Sequence, residues 1–183
     1  MKRALIGIFL FFLSTPAVMS AESPTEYQIK AAFLYNFIKF VEWPAEAAPQ
    51  TGGEFVVGVL GDDPFGNDLD AMLSGKSVQD DKITLIRISN VQDAKRCQVL
   101  FIAGSEEWKL DKILKALEGR PILVVSDISG FVRRGGTIGF TMEGNKVRFS
   151  INNRVAETDH LTVSSQLLKL ATTVEEPSGD EDQ

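Results

Sequence analysis

The sequence predicts an α/β fold: a single domain with a mixed, mostly parallel sheet, helices on both faces, and a C-terminal β-hairpin followed by a closing helix. Three observations carry this. Short, solidly apolar runs rich in β-branched residues recur along the middle of the chain, as strands buried on both faces require. Segments with helical spacing alternate with them, the order that builds parallel βαβ units. Near the end the period shortens to two, with Ile138, Phe140 and Met142 alternating against Thr137, Gly139 and Thr141, the pattern of a strand with one polar face.

The first 21 residues are set aside. Lys2 and Arg3 precede ten uncharged, largely apolar residues, 4–13, and Val18-Met19-Ser20-Ala21 offers small residues for cleavage. This is the layout of a secretory signal peptide, so the protein is expected in the periplasm. Ten residues at ~1.5 Å each span about half the hydrocarbon core, too little for a transmembrane helix. No cysteine follows the run to accept a lipid. The domain proper is expected over residues 25–173.

Residues 25–42 have the spacing of an amphipathic helix, with Ile29, Phe33, Phe37 and Val41 four apart and Ala32, Asn36 and Phe40 beside them. Thr25 can cap its start, and Pro44 ends it by forcing the preceding residue out of helical geometry. Its aromatic face is expected to pack on the sheet. A strand follows at 54–60. In Gly61-Asp62-Asp63-Pro64-Phe65-Gly66, Asp63 can cap a helix and Pro64 can take its first position, with the helix running on to Leu73. Further strands are expected at 82–88, 99–103 and 122–125. Between the last two, residues 105–117 have helical spacing at Trp108, Ile113, Leu114 and Leu117, stopped by Gly119 and Pro121. Val147, Phe149 and Ile151 alternate with Lys146, Arg148 and Ser150, and Glu143-Gly144-Asn145 turns this strand back on the previous one. Ser164 can cap the closing helix, whose apolar side is Leu167, Leu168 and Ala171. Residues 174–183 hold five acids with Pro177 and Gly179, and are expected to form a disordered acidic tail.

Composition removes several function classes. Of 183 residues, 19 are Lys or Arg and 25 are Asp or Glu, a net charge of −6. Without the signal peptide, 17 basic residues face 25 acidic ones, giving −8. A duplex nucleic-acid binder needs the opposite balance, so no nucleic-acid partner is expected. One cysteine, Cys97, permits no internal disulfide, and one histidine, His160, permits no multi-histidine metal site. No cofactor is implied.

The remaining motifs are modest. Ser74-Gly75-Lys76-Ser77 resembles the end of a phosphate-binding loop, but Asp70 stands where the motif needs glycine and the segment follows a helix rather than a strand. A helix-ending turn is the expected reading. Asp62 and Asp63 fall where the first strand meets its helix, the crevice edge at which open α/β sheets bind ligands. They are the ligand-crevice candidates, with turn and cap roles as the alternative. Cys97 opens an apolar strand and is expected to be buried. His160 has no serine or cysteine that the sequence places beside it. Phe131-Val132-Arg133-Arg134-Gly135-Gly136 is expected to be a loop carrying an exposed aromatic and two arginines. Such residues are enriched at binding hot spots, which makes Phe131, Arg133 and Arg134 the partner-binding candidates, with a solvated turn as the alternative.

The long segment Ile29-Lys30-Ala31-Ala32-Phe33-Leu34-Tyr35-Asn36-Phe37-Ile38-Lys39-Phe40-Val41-Glu42-Trp43-Pro44 resembles the opening signature of the YfiR-like periplasmic proteins. Cys97-Gln98-Val99-Leu100-Phe101-Ile102 is similar to their central strand. Gly136-Thr137-Ile138-Gly139-Phe140, Arg148-Phe149-Ser150-Ile151-Asn152 and Ser164-Ser165-Gln166-Leu167-Leu168-Lys169-Leu170-Ala171 resemble their closing segments, in the same order. The resemblance covers about residues 25–173. It implies a non-enzymatic periplasmic regulator that binds the periplasmic part of an inner-membrane diguanylate cyclase or sensor protein and holds it inactive, so that cyclic di-GMP and biofilm behaviour respond to the envelope. Homodimerisation is compatible with it. Some members use disulfides, which Cys97 alone cannot supply within one chain. No catalytic residues come with the family. The alternative class is a periplasmic small-molecule-binding module.

Overall fold

The computed structural model describes residues 23–48 and 53–175. The expected signal peptide and residues 176–183 of the expected tail lie outside them. Helix α1 (Glu26–Phe40) opens with a capping box: the Thr25 hydroxyl accepts from the Gln28 amide at 3.2 Å, and the Gln28 side-chain oxygen accepts from the Thr25 amide at 3.1 Å. The helix ends two residues before the expected Glu42, because the chain turns extended and Val41–Glu42 (β1) pairs antiparallel with Thr162–Val163 (β9). Its buried stripe is also rotated. Ala31, Leu34, Phe37 and Ile38 are buried, whereas Ile29 and Phe33 are only half-buried and Asn36 is exposed.

After β2 (Glu54–Leu60) come α2 (Asp68–Leu73), β3 (Ser77–Val78), β4 (Asp81–Ile88) and β5 (Val99–Ile102). Helix α3 (Leu110–Leu117) leads to β6 (Leu123–Ser126), followed by the hairpin β7 (Ile138–Glu143) and β8 (Lys146–Asn152). Helix α4 (Asn153–Thr158), β9, the single turn α5 (Ser165–Leu168) and β10 (Val174–Glu175) close the chain. The main sheet has the order β10-β8-β7-β6-β5-β2-β4-β3. Strands β4, β2, β5, β6 and β7 run parallel, and β8 returns antiparallel. Strand β10 pairs with Ile151 and Asn152, so the sheet extends two residues into the segment expected as tail.

Helices α1 and α2 cover one face of the sheet and α3 covers the other, which gives two cores of different chemistry. The α1 side is aromatic: Phe37 lies 5.1 Å from Phe149 and 5.7 Å from Phe140, and Phe65 lies 4.7 Å from Phe101. The α3 side is mostly aliphatic, with Leu100, Ile102, Leu110, Ile113 and Val124. Trp108 belongs to neither. The segment Gly104–Lys109 is a 3-10 helix, and the α-helix starts only at Leu110. A 3-10 turn takes three residues rather than 3.6, so Trp108 is out of phase with Ile113 and Leu117 and stands 83% exposed.

Candidate partner surface and ligand clefts

Chain order reverses between β2 and β5, so the crevice edge predicted from sequence is real as a topological position. It is occupied by the protein itself. Gly61 has φ +92°, and a Cβ there would lie 2.5 Å from Ser105 Oγ and 2.7 Å from Glu106 Cγ. The Asp62 amide donates to Ser105 Oγ at 2.9 Å, tying the two strand-end loops together. Asp63 does not cap a helix beginning at Pro64, because Gly66 at φ +55° interrupts the run and α2 starts at Asp68. Instead Asp63 accepts from the Phe65 amide at 2.8 Å and from Arg87 Nε at 2.7 Å. Arg87 also holds Asp70, keeping that carboxyl below the usual carboxylate range through its hydrogen bond. Asp63 is therefore committed to a turn and an ion pair while Asp62 points to solvent, and the two do not converge.

At the end of β6 the structure builds a cluster that the sequence reading missed. Lys30 is 2% exposed, yet its ammonium lies 2.5 Å from Glu26 Oε1 and 2.6 Å from Asp127 Oδ2, with the Tyr27 ring 4.4 Å away. The Tyr27 hydroxyl donates to the same Asp127 oxygen at 3.0 Å. Burial disfavours the Lys30 cation, but hydrogen bonds to Asp127 and Glu26 outweigh it and hold its pKa above the ordinary value. The only local signal was Glu26 four residues before Lys30. Asp127 is 97 positions away and left none.

The loop expected to present Phe131 buries it. Phe131 is 1% exposed, and its ring fills the space beside Gly136, where a Cβ would lie 2.0 Å from Phe131 Cε1. Gly136 admits the ring because it has no side chain, so Phe131 is a core residue rather than the exposed aromatic expected. Arg133 is exposed, as expected. Arg134 donates to Asp111 Oδ1 from Nε and Nη2 at 3.0 and 2.8 Å. This pair flanks a cleft of about 450 Å³ between α3 and α4. At its inner end Asp159 is 5% exposed and accepts from the Gly119 amide at 2.7 Å; burial pushes its carboxyl up to about 6. Asp62 and Asp63 do not line this cleft.

Cys97 is buried, and desolvation pushes its thiol up to about 11. His160 is exposed at φ +60° in the turn after α4. Gly75, at φ +68°, lies in the turn after α2, so Ser74-Gly75-Lys76-Ser77 leads from the helix end into β3. Among the described residues no three His, Cys, Asp or Glu side chains are grouped to hold a metal ion, and no helix is long and apolar enough to cross a membrane.

The family model for YfiR/HmsC-like proteins matches residues 27–172, most of the chain and nearly all of the described domain. The chain belongs to the YfiR/HmsC-like family. That family is one of periplasmic regulators rather than enzymes. No curated protein matches this YfiR/HmsC-like chain by sequence. Among solved structures it is similar to a conserved domain protein from Vibrio cholerae, with 11% identity and a TM-score of 0.55 over 81% of this chain and 60% of that one. It is also similar to an ABC domain from Streptococcus pneumoniae in complex with L-Trp, with 8% identity and a TM-score of 0.53 over the same shares. At these identities the likeness is one of fold, and the chain spans about 60% of the length of either protein.

Proposed function

We propose that this YfiR/HmsC-like domain acts in the periplasm by stoichiometric binding, lowering the output of an inner-membrane diguanylate cyclase or related sensor. The observation that carries this reading is the family match over residues 27–172. Such an inhibitor needs few anchors, because a handful of Trp, Tyr and Arg residues dominates most interfaces. Two exposed side chains of this type are Trp108, with Lys109 Nζ 5.3 Å from its ring centroid, and Arg133. The domain shifts its partner only as far as it binds the inactive state more tightly than the active one.

Deleting the gene is expected to raise cyclic di-GMP, with no rise when the partner cyclase is removed as well. Trp108→Ala with Arg133→Ala is expected to mimic the deletion while the circular dichroism spectrum stays that of the wild type. Unchanged cyclic di-GMP in the deletion strain, together with failure of the purified domain to capture a membrane partner, would overturn the reading. Full repression by the double variant would remove only the assignment of these two anchors. Sedimentation of the purified domain separates a monomer from the homodimer that the family resemblance allows.

A further inference from the structure

Where α3 ends and β6 and β7 begin, the sheet is left partly uncovered. Helix α3 stands on one side and α4 on the other, and the cleft of about 450 Å³ lies between them. That volume is in the range of pockets that hold small ligands. Its lining combines two chemistries. Leu114 and Leu117 of α3, Val124 of β6 and Val155 of α4 supply an apolar bed. Lys115 and Arg154 line it from opposite walls, both exposed, and neither forms an ion pair with another described residue.

The other charges around the cleft are largely committed. Arg134 is held by Asp111, and Asp159 accepts from the Gly119 amide at the inner end. Glu118, exposed three residues beyond Lys115, also lines the cleft and forms no ion pair with a described residue. Thr137, on the lining of the same cleft, is fully buried, and its hydroxyl has no hydrogen-bond partner among the described residues. Buried polar groups are nearly always partnered, so Thr137 leaves an unmet hydroxyl just beneath the cleft wall.

We propose that the α3–α4 cleft binds a small organic carboxylate with an apolar body, its carboxylate held between Lys115 and Arg154 and its body on the Leu114, Leu117 and Val155 surface. Arg and Lys from opposite walls suit an anion, since charge-assisted hydrogen bonds to a carboxylate are the strong ones. An amine of the same shape would meet the same two cations and find Glu118 the one uncommitted acid of the lining, since Asp111 is held by Arg134 and Asp159 by the Gly119 amide. The site is separate from Trp108 and Arg133, and the inference stands apart from the repressor reading.

The test compares three probes with one body and different heads: cyclohexanecarboxylate, cyclohexylmethylamine and cyclohexylmethanol, each titrated into the 15N-labelled mature domain. The carboxylate is expected to give saturable shifts centred on the amides of Lys115, Thr137 and Val155, with affinity at least about tenfold above that of the amine and the alcohol. Lys115→Glu with Arg154→Glu is expected to weaken it by at least about tenfold. Both side chains are exposed, so this variant should keep the wild-type melting temperature, and Lys146→Glu with Lys95→Glu, both exposed and off the cleft lining, serves as a charge-matched control with unchanged affinity. The proposal is overturned if the carboxylate does not saturate below about 10 mM, if the amine binds as well, if the shifts lie elsewhere, or if the double charge reversal leaves affinity unchanged.

Discussion

At the end of β6, Lys30 is enclosed by Glu26, Asp127 and Tyr27, whereas Lys115 and Arg154 stand on the rim of an open cleft with no carboxylate paired to them. Both places bring cations to the sheet, and they do so under different constraints. A buried charge persists only when paired and hydrogen-bonded, because desolvation would otherwise cost several kcal/mol. Lys30 meets that condition, and in doing so it ties α1 to the sheet through a residue 97 positions away. The rim cations remain in water, need no partner, and contribute little to the fold. Partnered charge at Lys30 holds α1 to the sheet, and the unpaired cations around the cleft are the ones the proposed ligand would use.

The comparison breaks most visibly at Lys30. Lys30→Met leaves Asp127 and the Tyr27 hydroxyl without their cation and is expected to cost about 3–5 kcal/mol. Lys30→Met with Asp127→Leu removes both charges and should recover much of that loss. Lys115→Met, on the rim, should change stability by less than about 0.5 kcal/mol. Urea unfolding at pH 7 measures all three, and equal costs at Lys30 and Lys115 would dissolve the distinction.

Cys97 extends the test to a buried group without a charge. Its Sγ sits against Gly58, where a Cβ would come within 2.7 Å of it, and its thiol is pushed up to about 11. Thiol reagents should therefore react slowly with the native protein and quickly after unfolding. Cys97→Ser should cost about 1–3 kcal/mol if the hydroxyl finds no partner, while repression is retained. A disulfide-linked dimer required for activity would contradict this.

The smallest effect belongs to Asp159, a buried carboxyl with an amide donor but no cation. Its folded-state pKa, about 6, lies above the ordinary carboxylate value, so the folded protein holds this proton more tightly than the unfolded chain. The associated stability is present at about pH 4 and is lost as pH rises to about 6. Asp159→Asn keeps an acceptor for Gly119 and carries no charge. Its melting temperature relative to wild type should rise between pH 4 and pH 6 and then level off, with a gain of about 1 kcal/mol. A difference independent of pH would place the titration elsewhere.

Much of this molecule was legible in local pattern. The strand at Glu54–Leu60, the hairpin with its Glu143-Gly144-Asn145 turn, the Thr25 cap and the buried Cys97 all follow from neighbours a few positions apart. The short helix α4 escaped notice, since six residues give too little periodicity. The candidate site was read less well, and for one reason: each residue's role depended on a partner remote in sequence or on backbone geometry. Asp63 was claimed by Arg87, and Asp62 lay beside loops already in contact.

The order of strands and helices, the parallel character of the sheet and the aromatic α1 face are properties of composition and spacing, and the sequence determined the fold class and pointed to the family through them. Tertiary structure alone decided which side chains face out. A 3-10 turn in place of an α-turn put Trp108 in solvent. A missing Cβ at Gly136 let Phe131 into the core. Asp127 made a lysine on an apolar helix face a buried anchor, and the gap between α3 and α4 turned two ordinary surface cations into the rim of a cleft. Periodicity records which face of an element is apolar, but burial and pairing are sums over contacts that the chain makes only once it has closed on itself.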